Sequence, residues 1–261
     1  MSETATANLL QGRHAVVTGG ARGIGRAIAV ALLGQGARVT LLGRDAAALQ
    51  TAVAQLGAGA AAEVADITDG QALRGALEHA RAHVGEIAIL VNNAGAAQSA
   101  PLHRTDEALW RRMLDVNLTG TYLCIHAVLP SMLAAGYGRI VNVASTAGQV
   151  GYPYVAAYCA AKHGVIGLTR ALALETAAKN ITVNAVCPGY ADTEIVRETI
   201  ANIRAKTGRS EAEALAALVE HNPQRRLIRP EEVANAVLWL CLPGSESITG
   251  QSISVAGGEV S

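Results

Sequence analysis

The stretch from residue 14 to residue 25, HAVVTGGARGIG, begins the pattern that predicts the fold of this chain. Its first part, His14–Thr18, is a short apolar run typical of a strand, and a glycine-rich turn then leads into a helix expected to reach about Gln35. Glycines let a backbone approach a pyrophosphate, and a helix N-terminus supplies free N–H groups with a partial positive charge. The stretch therefore predicts a turn that binds a dinucleotide.

The same alternation of strand and helix continues along the chain. Pro130 is expected to kink or break one of the helices, because proline removes a helical hydrogen bond. Further strands are predicted at residues 38–42, 61–65, 87–91, 139–143, 181–186 and 252–255, and further helices at 45–56, 69–83, 105–135, 155–178 and 230–242. Such alternation predicts a parallel sheet with helices on both faces.

Residues 194–222 interrupt this alternation, since they are polar, helical in pattern and not followed by a strand. We interpret them as a lid over the C-terminal edge of the sheet, where open α/β sheets bind ligands; an ordinary surface pair of helices is the alternative. No linker or long-period repeat divides the chain. One domain is therefore expected at residues 12–261, after an N-terminal tail at residues 1–11.

The composition excludes several classes of function. Among 261 residues, Lys+Arg and Asp+Glu number 21 each, so no charge excess favours nucleic acid or an anionic membrane. Aromatic residues make up 3% without any Phe, which removes the stacking surfaces of a single-strand binder. No stretch approaches the roughly 18 apolar residues of a membrane span, and the first residues do not resemble a signal peptide. A cytoplasmic protein is expected.

Cysteine and histidine spacings predict neither a disulfide nor a metal site. The four cysteines are far apart and read as small buried hydrophobic residues. His79 and His83 lie four residues apart on a polar helix without a third ligand nearby in sequence, and we interpret them as part of a solvated face.

Tyr158 and Lys162 lie four residues apart within the predicted helix at 155–178, which places both side chains on one helical face. A nearby positive charge favours a phenolate, so we expect the tyrosine pKa to fall below its usual value of about 10. A tyrosine poised in this way can act as an acid or base. For the pair alone, two surface residues at a chance spacing would be the favoured interpretation, because such spacings are common.

Five motifs in this order resemble the short-chain dehydrogenase/reductase family, over about residues 12–258. They are the spacing Thr-Gly-x-x-x-Gly-Ile-Gly at Thr18 to Gly25, Asn92-Asn93-Ala94-Gly95, Asn117 with Ser145, the Tyr158/Lys162 pair, and Pro188-Gly189. Ala256-Gly257-Gly258 departs from the Asp-Gly-Gly that many members carry. The resemblance implies a single-domain Rossmann-type α/β fold, a doubly wound parallel sheet with a helical substrate lid at about 194–222.

The resemblance also implies a catalytic tetrad of Asn117, Ser145, Tyr158 and Lys162. Ser145 would donate to the substrate carbonyl oxygen while Tyr158 delivers the proton. Lys162 would hold the nicotinamide ribose and lower the tyrosine pKa, and Asn117 would hold a water that relays protons. Without the resemblance, Asn117 would be interpreted as a capping or core residue.

The resemblance implies a set of cofactor-binding residues that lie in the glycine turn, after several of the predicted strands and on the Tyr-Lys helix. Asp66 and Ile67 would contact the adenine, and Tyr158 and Lys162 would belong to this set as well as to the tetrad. The remaining members are Gly19, Gly20, Ala21, Arg22, Gly23, Ile24 and Gly25 for the pyrophosphate, Asn92, Asn93, Ala94 and Gly95 for the ribose and the central strands, and Pro188, Gly189, Ala191 and Thr193 for the carboxamide.

NADP(H) is favoured over NAD(H). Relatives that use NAD place an acid at the end of the second strand, where this chain has Gly43. Arg44 follows, and Arg22 is close enough in the glycine turn to join it around a phosphate, which a guanidinium binds bidentately. Asp45 could instead bond a ribose hydroxyl and favour NAD, although its position also suits a helix cap.

The substrate is expected to be a small molecule with a carbonyl or alcohol group. Relatives that oxidise 3-hydroxybutyrate carry a His and a Lys where this chain has Ala147 and Val155, so a small free hydroxy acid is disfavoured. The residues expected to line the pocket are Gln98, Gln149, Val150, Tyr152, Tyr154 and Tyr190. The segments at 145–162 and 181–193 most resemble relatives that reduce 3-oxoacyl thioesters or polyketide chains, and this reduction is our first interpretation.

Three alternatives bear on this interpretation. A reductase of uncharged ketones, or a dehydrogenase of secondary alcohols, is the alternative enzyme. A cofactor-sensing protein without turnover would have degenerate catalytic positions, whereas all four are present here. The basic residues of the lid, Arg197, Arg204, Lys206 and Arg209, could meet the phosphates of a coenzyme A or carrier-protein arm, but a solvated face paired with Glu198, Glu211 and Glu213 is favoured.

The resemblance implies a homotetramer. Small residues of the Tyr-Lys helix permit close packing, either between subunits or inside one subunit; they are Ala156, Ala157, Ala160, Ala161, Gly164 and Gly167.

Overall fold

Within residues 8–260, which the computed structural model describes, seven strands form one parallel sheet. For Ile195 and Lys206 only the backbone is described. The expectation for the Lys206 side chain therefore lies outside the described residues, and so do residues 1–7 of the expected tail. The strands are β1 His14–Thr18, β2 Arg38–Gly43, β3 Ala60–Val64, β4 Ile87–Asn92, β5 Gly138–Val143, β6 Ile181–Pro188 and β7 Ser252–Val255. Their order is β3-β2-β1-β4-β5-β6-β7, so the predicted doubly wound parallel sheet is confirmed.

Helices cover both faces of this sheet. They are α1 Gly23–Leu33, α2 Ala46–Leu56, α3 Gly70–Val84, α4 Glu107–Leu114, α5 Gly120–Ala135, α6 Ala156–Thr176, α7 Glu194–Thr207, α8 Glu211–Leu218 and α9 Pro230–Cys241. Alternate strand residues enter opposite layers, as the pleat requires. Val17 packs in a core with α1 and α9, whereas Val16 packs with α3 and α5 on the other face.

The order of the strands reverses between β1 and β4, which are neighbours in the sheet although β2 and β3 separate them in sequence. The chain leaves β1 toward one edge and returns beside β1 to build the other edge. The crevice at such a switch point is where open α/β sheets bind ligands. The loops after β1 and β4 meet there.

The long helix predicted at 105–135 is interrupted, but Pro130 is not the cause. A π-helical turn at Asp115–Thr119 separates α4 from α5, and Pro130 lies inside α5 without ending it. Asn117 lies in the π turn, and its side chain donates to the carbonyl oxygens of Ala96 and Met113 at 2.8 and 2.9 Å. The predicted break at Pro130 is therefore wrong; π turns of this kind are common at functional sites.

One helical run, Glu107–Ala135, is long and apolar enough to cross a membrane by length and composition alone, which corrects the expectation that no stretch comes near that criterion. Part of its apolar surface faces the sheet: Ile125, Val128 and Met132 pack in the core against β4 and β5, whereas Tyr122 and Leu133 are exposed. A core helix meets the same criterion.

The lid contains α7 and α8, joined by a tight turn. Val196, Ile200 and Ala214 form a small core between the two helices, with Tyr190 packed against it. Arg204 pairs with Glu211 at 3.3 Å, whereas Arg197 pairs with Asp192 at 3.1 Å rather than with Glu198. These pairs agree with the interpretation of the polar side as a solvated face.

Candidate active site

The glycine turn lies between β1 and α1, at the switch point of the sheet. Gly19 and Gly23 have φ angles of 63° and 52°, which favour glycine, and a Cβ on Gly25 would collide with the carbonyl oxygen of Gly19. Arg22 is the N-cap residue of α1 but makes no side-chain cap, and the first turn carries no acidic residue. The first N–H groups of α1 are therefore available to an anion, and the turn fits a pyrophosphate.

Thr18 and Asn93 join the glycine turn to the end of β4. The Thr18 hydroxyl accepts hydrogen bonds from the N–H groups of Asn93 and Ala94, both at 2.9 Å. The Asn93 amide in turn donates to the carbonyl oxygens of Thr18 and Gly19, at 3.0 and 3.2 Å. Asn93 thus braces the two central strands, a role that Thr18 shares although the sequence analysis did not assign it.

Asn92 lies away from this crevice. Its side chain is buried, and its amide donates to Asn142 at 2.9 Å, which in turn donates to Thr169 at the same distance. Gly95 is nearer the candidate chemistry, since a Cβ there would lie 2.8 Å from Asn117 Oδ1 and 3.7 Å from Lys162 Nζ. The loop after β4 therefore brings Gly95, and not the Asn92 side chain, to the tetrad.

Ser145 and Tyr158 meet where β5 ends and α6 begins. Ser145 follows β5, and its Oγ accepts from the N–H of Ala147 at 3.1 Å. Its side chain also hydrogen-bonds the hydroxyl of Tyr158. Tyr158 lies in the first turn of α6, so two groups thirteen residues apart in sequence face the same point. That point can hold a carbonyl oxygen between two hydroxyls.

Lys162 lies one turn further along α6, is only 5% exposed, and contacts the end of β5. Its Nζ donates to the carbonyl oxygen of Val143 at 2.9 Å and lies 5.6 Å from the centre of the Tyr158 ring. Burial lowers the Lys162 pKa to about 8, since removal from water disfavours the charged form.

The expected lowering of the Tyr158 pKa is wrong for the protein as the structure describes it. Burial of the hydroxyl raises the pKa to about 12, and the hydrogen bond from Ser145 only partly opposes this rise. The ammonium of Lys162 faces Val143 rather than the phenolic oxygen. Tyr158 is therefore protonated at neutral pH, which is the state that a proton donor needs.

Asn117 is fully buried beneath Gly95, in the π turn described above. Its Oδ1 accepts from the N–H of Ala96 at 3.2 Å, and its backbone carbonyl accepts from Thr121 at 3.0 Å. The side chain thus ties the loop after β4 to the helix. These contacts agree with the interpretation of Asn117 as a core-satisfying residue, and the water-relay role stays a prediction.

The residues expected to select the cofactor already have partners. Arg44 lies 3.6 Å from Asp66, whose pKa is lowered chiefly by its hydrogen bond from the N–H of Thr68. Arg22 forms a short ion pair with Glu194, the first residue of α7. Asp45 caps α2 by accepting from the N–H of Ala48 at 3.0 Å, as its alternative interpretation predicts. Ile67 is buried against Gly120.

The end of β6 lies opposite the glycine turn. Gly189 donates to the carbonyl oxygen of Val255 at 3.1 Å, which ties the Pro188-Gly189 turn to β7. Ala191 is buried, and Thr193 approaches the glycine turn so closely that a Cβ on Gly23 would lie 3.3 Å from its methyl group. This arrangement brings Thr193 beside the expected pyrophosphate site.

The expected pocket residues differ in what they contact. The amide oxygen of Gln98 accepts from Arg112, and Gln149 bonds Ser252 and Ser254 of β7, so both side chains are engaged in pairs. Tyr154 is 64% exposed, has a φ of 68°, and accepts from the N–H of Ala100 through its carbonyl. Val150 is also exposed.

Tyr152 and Tyr190 are less exposed than Tyr154, and both lie near a carboxylate that the sequence analysis missed. Tyr152 Oη lies 2.5 Å from Glu259 Oε1 and 3.0 Å from Thr146 Oγ1. Burial raises the pKa of both tyrosines, and Glu259 raises them further. In sequence, Glu259 is separated from Tyr152 by more than one hundred residues, and its only signal is its place after Gly257-Gly258.

Comparisons with known proteins agree with this arrangement. The family model described as short chain dehydrogenase matches residues 13–204. A cis-4-hydroxycyclohexanecarboxylate dehydrogenase from Sinomonas cyclohexanicum is 41% identical, over 94% of this chain and 96% of that protein. An acetoacetyl-CoA reductase from Rhizobium meliloti is 40% identical, over 95% of this chain and 98% of that protein.

A solved structure gives the same result for the fold. The crystal structure of an actinorhodin polyketide ketoreductase with NADPH matches with a TM-score of 0.91 and 36% identity, over 95% of this chain and 97% of that chain. The strand order, the glycine turn, the tetrad and these similarities lead to one conclusion: the chain belongs to the short-chain dehydrogenase family and is an oxidoreductase.

Proposed function

We propose that the protein uses NADPH to reduce the ketone of a 3-oxoacyl thioester to the 3-hydroxyacyl product. The observation that carries the proposal is the meeting of the Ser145 and Tyr158 hydroxyls beside a buried Lys162 at the switch point of the sheet. The acetoacetyl-CoA reductase and the polyketide ketoreductase among the similar proteins support the choice of substrate class.

In the proposed reaction, Ser145 donates a hydrogen bond to the substrate carbonyl oxygen and Tyr158 transfers its Oη proton to the same atom. A Tyr158 pKa of about 12 supports the donor role, because the proton is in place at neutral pH. The positive charge of Lys162 then stabilises the phenolate that is left behind. The proposed path of reprotonation passes Lys162 and Asn117, which lie together beneath Gly95.

When bound, the nicotinamide cofactor supplies the hydride. The free N–H groups at the start of α1 would hold the pyrophosphate, and Asn93 with Ala94 would lie against the ribose. Pro188, Gly189, Ala191 and Thr193 would surround the carboxamide. Preference for NADPH rests on Arg44 and Arg22, two guanidinium groups beside a position where Gly43 supplies no acid.

A second candidate function is supported by the 41% identity to the cis-4-hydroxycyclohexanecarboxylate dehydrogenase. In that case the chain would act on a ketone or secondary alcohol outside the thioester class. The ion pairs of Arg197 and Arg204 leave these two residues less available to coenzyme A phosphates. The choice of a thioester therefore rests on the similar proteins and not on a charged arm-binding surface.

The deciding experiment measures NADPH and NADH oxidation with acetoacetyl-CoA and, separately, with an aryl methyl ketone. The Tyr158→Phe variant is the blank and should lose at least about 100-fold in kcat, because it keeps the ring and removes the proton donor. Thioester turnover with NADPH supports the proposal. Turnover of the ketone alone transfers the proposal to the second candidate, and no turnover of either refutes both.

We also propose a cytoplasmic homotetramer. Large apolar side chains remain exposed on the helices around the tetrad, with Leu174 of α6 at 85% and Tyr122 of α5 at 46% exposure. Burial of such a surface between subunits would be favourable. Light scattering coupled to size-exclusion chromatography should give four times the chain mass of 26.8 kDa; a monomer would contradict the proposal.

A further inference from the structure

A hydrogen-bonded row leads from the chain terminus to the residue beside Ser145. Glu259 Oε1, Tyr152 Oη and Thr146 Oγ1 are linked at 2.5 and 3.0 Å. A phenol has one proton, and a carboxylate accepts more strongly than a hydroxyl. Tyr152 therefore donates to Glu259, and the Thr146 hydroxyl donates to Tyr152.

Two consecutive glycines fix the position of Glu259. Gly257 and Gly258 have φ angles of 63° and 91°, and the N–H of Glu259 closes a turn on the carbonyl oxygen of Ala256 at 3.2 Å. The turn is packed tightly, since a Cβ on Gly257 would collide with Asn222 and one on Gly258 would lie 3.2 Å from Pro223. The turn thus presents Glu259 in a defined direction.

That direction is toward the substrate side of the tetrad. A Cβ on Gly189 would lie 2.8 Å from Glu259 Oε2, so the carboxylate lies against the turn expected to face the nicotinamide. Its negative charge raises the pKa of Tyr190, and Tyr190 in turn interacts electrostatically with Tyr158. Glu259 and the reacting hydroxyl thus both lie within electrostatic range of Tyr190.

The charge of this carboxylate is not neutralised by an ion pair. In the part of the chain that the structure describes, the salt bridges involve other carboxylates, and Glu259 has a phenol as its partner. Glu259 is also only partly exposed, so water screens its charge less than at an open surface. An anionic group of a substrate would experience this charge as repulsion.

We propose that Glu259 is a specificity-determining residue whose carboxylate excludes substrates with an anionic group near the reacting carbonyl and admits neutral esters, thioesters and ketones. This inference rests on the proposed function, because it concerns the substrate side of the same Ser145–Tyr158 pair. Ala147 and Val155 already disfavour a small free hydroxy acid, because they provide no basic side chain to bind its carboxylate. The charge of Glu259 would disfavour the same substrate by repulsion.

The test compares acetoacetate with ethyl acetoacetate, which share one reacting ketone and differ in charge. With NADPH, the ratio of kcat/KM for the ester to that for the acid is measured for wild type, Glu259→Gln and Glu78→Gln. Gln keeps an oxygen that accepts from Tyr152 and removes the charge alone. The ratio should fall about tenfold in Glu259→Gln through faster turnover of the acid, while Glu78→Gln, exposed on α3, should match wild type.

Binding of both compounds to the enzyme–NADP⁺ complex, which cannot reduce them, is measured by calorimetry and gives a readout that does not depend on turnover. Tighter binding of acetoacetate by Glu259→Gln, with binding of the ester unchanged, supports the inference. If this is observed but neither compound is reduced, the proposed function fails and the inference stands. An ester-to-acid ratio within twofold of wild type in both measurements overturns the inference. The inference is also overturned if the wild-type enzyme binds acetoacetate as tightly as ethyl acetoacetate, or if it binds neither compound.

Discussion

The ammonium of Lys162 donates its hydrogen bond to the carbonyl oxygen of Val143, 2.9 Å away, where β5 ends. The same ammonium lies 5.6 Å from the centre of the Tyr158 ring. Lys162 is thus held against the sheet rather than against the phenolic oxygen, and its burial has a cost because a charged group loses water. The pH dependence of stability should report this cost.

The contribution of Lys162 to stability should increase as the pH rises from about 8 to about 10.5, whereas buried Cys124, Cys187 and Cys241, whose pKa values are raised by burial, oppose it above about pH 9. The folded protein holds Lys162 with a pKa of about 8 against an ordinary value of 10.5. Between these values the unfolded chain binds one more proton than the folded chain, so a rise in pH favours folding. The gain should be up to about 3 kcal/mol, at 1.36 kcal/mol per pKa unit.

Urea unfolding at pH 7.5 and pH 10 measures this gain. The unfolding free energy of wild type relative to Lys162→Met should rise between these two pH values, whereas that relative to Lys179→Met, which removes an exposed lysine, should stay constant. An equal pH dependence in all three proteins would contradict the lowered pKa. Tyr158 opposes the Lys162 contribution above pH 10, because it keeps its proton in the folded state up to about pH 12.

Cofactor preference should depend on the end of β2. A Cβ on Gly43 would lie 3.7 Å from its nearest neighbour, a side-chain carbon of Leu49, so this position tolerates a side chain. Gly43→Asp adds the carboxylate that accepts from a ribose 2′-hydroxyl and repels a 2′-phosphate. The ratio of kcat/KM for NADPH to that for NADH should fall at least tenfold.

Gly43→Ala is the matched control, since it adds the Cβ without the charge and should leave the ratio within about twofold. Arg44→Ala should weaken NADPH by about 10- to 100-fold, on the scale of one charge-assisted hydrogen bond, and NADH much less. A ratio that neither Gly43→Asp nor Arg44→Ala changes would contradict the preference for NADPH.

Removal of Glu194 should strengthen NADPH binding. The carboxylate of Glu194 occupies Arg22 in the structure, so it competes with a phosphate for the same guanidinium. In Glu194→Gln we expect NADPH to bind about three- to tenfold more tightly, measured by cofactor fluorescence. The folding stability should change little, because exposed ion pairs contribute about 0–1 kcal/mol.

Glu198→Gln, exposed one turn further along α7, serves as the charge-matched comparison. It should bind NADPH like wild type. Equal NADPH affinity in Glu194→Gln and wild type would mean that the ion pair does not limit access to Arg22.

Asn117→Ala should destabilise the protein by about 2–4 kcal/mol. The substitution leaves the N–H and carbonyl of Ala96 and the carbonyl of Met113 without their side-chain partner, and each buried unsatisfied group costs about 1–3 kcal/mol. Thr119→Ala, on the exposed side of the same π turn, should stay within about 0.5 kcal/mol of wild type. Similar unfolding free energies for the two variants would contradict the bracing role.

Much of the fold could be predicted because its signals are local. Apolar runs of four to six residues, alternating with helical patterns, predicted all seven strands to within two residues at each end. Gly19, Gly23 and Gly25 indicated a tight turn, because a side chain there would strain the backbone or collide with it. Asp45 indicated the start of a helix. The tetrad followed from the resemblance to the family: only the Tyr158/Lys162 pair has a local signal, its helical spacing, whereas Asn117 alone would have been interpreted as a capping or core residue.

The sequence by itself determined the parallel α/β architecture, because each strand and helix has a local pattern, and it indicated the family and the candidate tetrad through motifs that occur in a fixed order along the chain. Only the tertiary structure decided that Lys162 bonds Val143, that the helix is interrupted at Asn117 and not at Pro130, and that Arg22 pairs with Glu194. It also brought Glu259 to Tyr152. These contacts join residues far apart in sequence, so they depend on how β6, the lid and the chain terminus pack around one crevice rather than on any local pattern.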